Sequence, residues 1–410
     1  MEKLALFGGE PVKSTPFPEW PRYDEKERQA LLDVLESRLW WRTPGSQALK
    51  FEQDFADYQQ AKYGIAVTNG TAALEVAMMA LGIGMGDEVI VPDFTFIATA
   101  SAVLFNGALP VLVDVTSDTY CIDPDAAEAA ITPQTKAIVA VHMGGHPADM
   151  DRLTEIAEKH KVALIEDSSH AHGSEWKGRR VGAIGDIGTF SFQQSKLMTA
   201  GEGGMIVTND PELERRARSI HDCGRMPDEW FYSHFIYGSN YRLSEWQAAI
   251  LNAQLSRMDE LTAIRSSNAA YLDQALAEIE GITPQKEDPR VTCNGHYAYI
   301  FHYDQKAFAG VPIQRFIEAF NAEGFPTQAS YPPLHDLDVF TSGEYKRRLY
   351  PEQANQEHAF LQAEFPNTEK AAWETVWLTQ TDLLGSEEDM HKAVEAVRKI
   401  QRNAEKLIEE

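Results

Sequence analysis

The chain has 410 residues, enough for two domains of ordinary size, and its 43% hydrophobic and 10% aromatic content is that of a globular protein. Its 62 Asp and Glu outnumber 37 Lys and Arg, and the resulting formal net charge of −25 disfavours general binding to nucleic acid or to anionic membranes. The three cysteines, Cys121, Cys223 and Cys293, are far apart and form no CxxC pair, which argues against a disulfide framework or structural zinc and fits a reducing cytosol.

The N-terminal stretch MEKLALFGGEPVKSTPFPEWP lacks a basic segment followed by an apolar run. No stretch approaches the roughly 20 apolar residues of a membrane helix. A cytoplasmic protein is expected. Gly64-Ile65-Ala66-Val67-Thr68 reads as a strand that turns through Asn69-Gly70 into a helix with Leu74, Ala77, Met78 and Leu81 at helical spacing. Gly82 and Gly84 stop that helix. DEVIVP (87–92), LPVLVDV (109–115), KAIVAVHM (136–143) and VALIED (162–167) are short runs rich in Val and Ile, as central parallel strands covered on both faces are. Met150 to His160, with Leu153, Ile156 and Ala157 on one face, is a crossover helix. The segments 189–192 and 205–208 read as two further strands.

Beyond Gly224 the pattern changes. Leu243 to Leu276 is helical, with candidate caps at Ser244 and Ser266. HYAYIFHY (296–303) alternates like a half-buried antiparallel strand, and a helix follows from Ile313 to Glu323. Ser386, with an acid three residues later, opens a terminal helix as a capping box does. The expected architecture is an α/β domain with a mostly parallel sheet over residues 1–259, including an N-terminal arm, and a smaller α+β domain over 260–410.

Ligands of open parallel sheets bind beyond the carboxyl ends of the strands, and three stretches fall there. Thr68-Asn69-Gly70-Thr71 places a helix N-terminus after a strand, a site for phosphate or carboxylate, although many plain turns look alike. Asp167 ends an apolar run and is poised to meet a ligand cation; a turn-capping acid is its ordinary reading. His170 and His172 form an HxH pair with no third ligand at metal spacing, so no metal is expected. Lys196 lies between the strand ending in Ser191 and Gly201-Glu202-Gly203-Gly204. Desolvation lowers a lysine's pKa, and the neutral amine is the form that attacks carbonyls.

Jointly the three describe one cofactor. Pyridoxal phosphate needs a lysine for its aldehyde, an acid for its ring nitrogen and a cradle for its phosphate. Phe96, in PDFTFIAT, is placed to stack on the ring, with core packing as the alternative.

The ordered segments GTAAL, PDFTFIAT, HMGGHPADMD, EDSSHAHGS, SFQQSKLMTAGEGG and GSNYRLSEWQAAIL resemble the DegT/DnrJ/EryC1/StrS aminotransferases, most strongly over residues 60 to 255. The resemblance implies the fold of the aspartate aminotransferases (fold type I) and ping-pong transfer of an amino group from glutamine or glutamate to a keto-cyclitol or keto-sugar. It implies that Lys196 bonds the cofactor aldehyde and moves the proton, Asp167 pairs with the pyridine nitrogen, Phe96 covers the ring, and His170 meets the phenolic oxygen. Gly70, Thr71 and Ser191 are implied to hold the phosphate, and Asn240 to reach the phosphate of a second subunit in a homodimer with shared sites. Tyr331 and His335, in YPPLH, match a segment near the acceptor. Family members with histidine at the lysine position are dehydratases; Lys196 favours transamination.

QQSK resembles glutamine-dependent scyllo-inosose aminotransferases, whereas KLMTAGEGG is equally like 3-amino-5-hydroxybenzoate synthases. Aminocyclitol, amino-sugar or antibiotic biosynthesis is the implied setting. A sugar-nucleotide 3- or 4-aminotransferase and a degenerate pyridoxal-phosphate-binding regulator are the rival readings. Arg42 and Arg242 are motif-linked cations for a donor carboxylate, with a salt bridge as their ordinary reading.

Overall fold

The computed structural model describes residues 3–226, 229–327, 330–349 and 363–409. In chain order its strands are β1 (Tyr63–Val67), β2 (Glu88–Pro92), β3 (Leu109–Val113), β4 (Thr135–Val141), β5 (Ala163–Asp167), β6 (Glu175–Trp176), β7 (Arg179–Arg180), β8 (Ile187–Ser191), β9 (Gly204–Thr208), β10 (Ile282–Pro284), β11 (Val291–Cys293), β12 (Ala298–Tyr303) and β13 (Thr375–Thr379). Seven of them form one sheet in the order β1-β9-β8-β5-β4-β2-β3. β3, β2, β4, β5 and β8 run parallel, and β9 pairs antiparallel with both β8 and β1. The apolar runs anticipated these strands to within a residue or two.

The helix Gly70–Leu81 begins where Asn69 Oδ1 accepts from the amide of Ala72 at 2.8 Å and ends at Gly82, whose φ of 78° suits a residue without Cβ. Met150–His160 is the crossover helix that the spacing predicts, with Leu153, Ile156 and Ala157 buried. Ser244 caps Glu245–Leu255 with a full capping box, but Ser266 caps nothing. It lies inside the 19-residue helix Met258–Leu276, where the chain had no reason to break.

The first core, around the large sheet, includes Ile65, Val89, Ile138 and Ile165; a second gathers Leu272, Leu276, Tyr299, Phe301, Phe316, Phe320, Val376 and Val397, and Leu4 of the N-terminal segment packs into it. Its sheet is β10-β12-β13. β12 is not half-buried as its alternation predicts. Side chains alternate across a strand, so Ala298 and Ile300 face the first core while Tyr299, Phe301 and Tyr303 face the second. Ser386 closes a capping box on Glu387–Arg402.

One buried carboxylate ties the large sheet to the loop ahead of β8. Glu166 is fully buried and accepts from the amides of Gly182 (2.7 Å), Ile184 (2.8 Å) and Gly185 (2.7 Å), while His142 Nε2 lies 3.1 Å away. The amide of Ala148 donates to His142 Nδ1 at 3.0 Å, so Nε2 carries the proton directed at Glu166. Burial pushes the Glu166 carboxyl up, but His142 and the loop amides outweigh it and leave it below the usual range. Replacing Glu166 with Ala strands these donors. It is expected to cost roughly 3–5 kcal/mol, measured as a drop in chemical-denaturation stability. Since the folded pKa lies below the unfolded one, the carboxylate's contribution is present above the unfolded pKa and lost as pH falls through the folded value.

Candidate active site

A cavity of about 750 Å³ opens at the carboxyl ends of β1, β4, β5 and β8. Thr68, Gly70, Thr71, Phe96, Asp167, His170, Ser191, Lys196 and Tyr331 all contribute to its wall. The sequence candidates from five separate segments therefore share one space.

Asp167 follows Glu166 on β5, and the alternation of the strand sends the two carboxylates to opposite faces. Its Oδ2 accepts from the Thr99 hydroxyl at 3.0 Å, and its Oδ1 accepts from the Ser169 hydroxyl at 2.7 Å and amide at 3.2 Å. Thr95 and Thr99 hydroxyls lie 3.0 Å apart and extend this chain. All three donors that fix the carboxylate's orientation are uncharged.

Lys196 is half-buried in the turn after β8, with its Nζ 4.4 Å from the Tyr297 ring centroid. Desolvation lowers its pKa from the ordinary lysine value, and Tyr297 and Asp167 oppose that fall only in part. His170 is buried, stacks on Tyr297 with centroids 4.0 Å apart, and has Nε2 3.3 Å from the Tyr331 hydroxyl. Burial and the nearby Lys196 hold its pKa well below the usual histidine value, so the ring is neutral.

Gly70 and Thr71 open the helix Gly70–Leu81, whose first-turn amides lack intrahelical acceptors. A Cβ on Gly70 would lie 2.7 Å from Ser191 Cβ, so the absence of a side chain keeps this corner open. Phe96 is 53% exposed on the cavity rim, with its ring 6.0 Å from that of Tyr331.

Two candidates lie elsewhere. Asn240 is exposed and outside this wall, bridged to Asp222. His335 also lies outside it, because Nδ1 is 2.6 Å from Asp93 Oδ2 and Nε2 is 3.2 Å from Glu369 Oε1. Asp93 raises the pKa of His335, which ties it into an ion pair. Arg42 and Arg242 are likewise held in ion pairs, with Glu52 and Asp222. Sequence reasoning missed Tyr297, Thr99 and Ser169. Thr99 sits at the start of the helix Ala98–Phe105 and Thr95 in the bend before it, a pairing that no periodicity announces; Tyr297 looked like one more aromatic of a strand.

A desolvated lysine opposite a fixed carboxylate, at the ends of a mostly parallel seven-stranded sheet, defines a transferase of fold type I that works on carbonyl groups. The chain belongs to the DegT/DnrJ/EryC1/StrS aminotransferase family, whose model matches residues 21–398. It is 41% identical to the 3-amino-5-hydroxybenzoate synthase of Amycolatopsis mediterranei, across 94% of this chain and 97% of that one. It is 40% identical to the L-glutamine:2-deoxy-scyllo-inosose aminotransferase of Streptoalloteichus tenebrarius, across 98% of each. The crystal structure of 3-amino-5-hydroxybenzoic acid synthase superposes with a TM-score of 0.86 at 40% identity, covering 95% of this chain and 99% of that one.

Enzymes of this family use pyridoxal phosphate, and three features of the cavity fit it. Gly70 leaves room at a helix N-terminus where a side chain would collide with Ser191. The amine of Lys196 is desolvated, and His170 Nδ1 is buried without a hydrogen-bond partner. Gly70→Ala fills the corner. It is expected to weaken pyridoxal phosphate binding by roughly tenfold or more, read by absorbance titration, and also to lower the thermal midpoint, because the added methyl must displace Ser191.

Proposed function

We propose that the protein is a pyridoxal-phosphate-dependent aminotransferase that moves an amino group from glutamine to a keto-cyclitol by a ping-pong reaction. The observation that carries this reading is the meeting of Lys196, Asp167 and the Gly70-Thr71 helix end around one cavity, in a chain 40% identical to a glutamine-dependent scyllo-inosose aminotransferase.

Bound there, the cofactor would supply an aldehyde and a ring that accepts electrons. The residues proposed to hold it follow from their positions. The Gly70 and Thr71 amides and the Ser191 hydroxyl take the phosphate, Asp167 the pyridine nitrogen, His170 the phenolic oxygen, and Phe96 one ring face. Lys196 takes a proton at Nζ from the substrate carbon and returns it. Its lowered pKa raises the neutral fraction available near neutral pH. Tyr331, on the wall beside His170, is proposed to meet the acceptor; His335, locked to Asp93, is left out.

A homodimer with shared sites is part of the proposal, with Asn240 reaching the phosphate of the neighbouring subunit. Asn240 is exposed, and the segment just before it displays Trp230, Tyr232 and Tyr237 at 66% exposure or more. The division into residues 1–259 and 260–410 is part of the proposal; apart from Leu4, the buried residues of the second core all lie between Ala269 and Leu407. A cytoplasmic setting suits the three free cysteines, and no helix among the described residues is long and apolar enough to cross a membrane.

The equally similar 3-amino-5-hydroxybenzoate synthase supports a second reading, in which the acceptor is a precursor of that aromatic amine. Glutamine and glutamate are assayed as donors against scyllo-inosose-type ketocyclitols, precursors of amino-hydroxybenzoate and nucleotide-linked keto-sugars. Turnover with glutamine and a ketocyclitol is expected. Preference for a nucleotide-linked keto-sugar would replace the substrate assignment. The purified protein is expected to be yellow, and borohydride to fix the cofactor on Lys196. Wild-type protein that gains no absorbance with added pyridoxal phosphate would sink the reading. Lys196→Ala is expected to abolish turnover, a loss on the order of 10³-fold or more.

A further inference from the structure

Tyr297 stands just ahead of β12, the strand shared by both cores, and is itself only half-buried. Its ring does two things at once. One contact is with His170, stacked nearly parallel at 14° with centroids 4.0 Å apart. The other is with Lys196, whose Nζ lies 4.4 Å from the centroid. Its hydroxyl is 3.1 Å from the Ser195 hydroxyl, on the residue next to the lysine, and it also faces the Tyr331 phenol. Tyr331 in turn lies 3.3 Å from His170 Nε2. A tyrosine that merely filled space would not need polar partners on both sides of the cavity.

We propose that Tyr297 is a positioning residue that supports the ammonium of Lys196 and orients the imidazole of His170, and so sets how readily the lysine takes and gives its proton. The inference rests on the aminotransferase reading for its purpose, but its physical content belongs to this chain alone. An aromatic face and a phenol oxygen both stabilise an ammonium relative to the neutral amine. Without them, desolvation acts on Lys196 with less opposition. The other titratable groups facing the lysine do not replace Tyr297. His172 is buried with a pKa lowered to about 3, and His170 is likewise held neutral, so neither offers charge to stabilise or to compete. Asp167 is the acid among the groups that raise the lysine's pKa, and it is committed to Thr99 and Ser169.

Tyr297 also links the lysine to the second sheet. β12 pairs with β13 from Ala298↔Thr379 onward, so the backbone next to Tyr297 is held by the small sheet. The support under Lys196 thus comes from a part of the fold remote in sequence from the loop carrying it.

The test uses cofactor-free full-length protein, labelled with limiting acetic anhydride across a pH series, with the Lys196 peptide followed by mass spectrometry. Tyr297→Phe keeps the ring and removes the oxygen. It is expected to lower the pH midpoint of Lys196 labelling by about one unit, and Tyr297→Leu to lower it further. In the holoenzyme, Tyr297→Phe is expected to shift the pH midpoint of the bound cofactor's visible absorbance. An unchanged or raised labelling midpoint in Tyr297→Phe, with wild-type circular dichroism, overturns the proposal even if Tyr297→Leu fails to fold. Wild-type protein that takes up no pyridoxal phosphate overturns the aminotransferase reading instead, and leaves the labelling titration intact as the test of Tyr297.

Discussion

The carboxylate of Glu166 is the constraint on which the site is built. It is sealed in the sheet and satisfied by three amides of one loop and one imidazole. A buried charge of this kind is tolerable only when every lone pair finds a donor, so the loop at 182–185 has little freedom. That loop delivers the chain into β8, and β8 ends at Ser191, a few residues ahead of Lys196. The strand that leads toward the lysine is therefore anchored from beneath the sheet, by a residue outside the cavity wall.

The neighbouring residue uses the same strand in the opposite sense. Asp167 meets the cavity because Glu166 does not; period-two alternation gives one carboxylate to the scaffold and the next to the site. Their environments differ accordingly. Glu166 is bound by main-chain amides that cannot move without unfolding the loop. Asp167 is oriented by hydroxyls of Thr99 and Ser169, side chains that fix a direction while leaving the carboxylate on the cavity wall.

The second core contributes from the other side. β12 gives Ala298 and Ile300 to one core and Tyr299 and Phe301 to the other, so the small sheet is anchored against the large one rather than hung beside it. Tyr297, just ahead of β12, and Tyr331 pack against the first core and close on His170. The Lys196 side and the Tyr297–Tyr331 side of the wall come from distant stretches of chain, and tertiary packing brings them together.

Much of this was legible before any coordinates. Short apolar runs rich in Val and Ile located the parallel strands, because strands covered on both faces need such runs. The ends of those runs pointed to Gly70, Asp167 and Lys196, and the order of motifs pointed to the family. Ser266 misled because a capping residue type is common inside long helices too. β12 misled because alternation reports two different faces but not whether the second face meets water or another core. His335 lay in a suggestive motif, yet the nearby Asp93 carboxylate holds it elsewhere, and no local pattern announces an ion pair across 242 residues. Local sequence by itself determined the strands of the large sheet and most helix ends and pointed to the candidate residues, since periodicity and capping act within a few residues. Which aromatic supports the lysine, which histidine stays neutral and which carboxylate faces the cavity were decided only by tertiary structure, because desolvation and contact depend on what the rest of the chain places alongside.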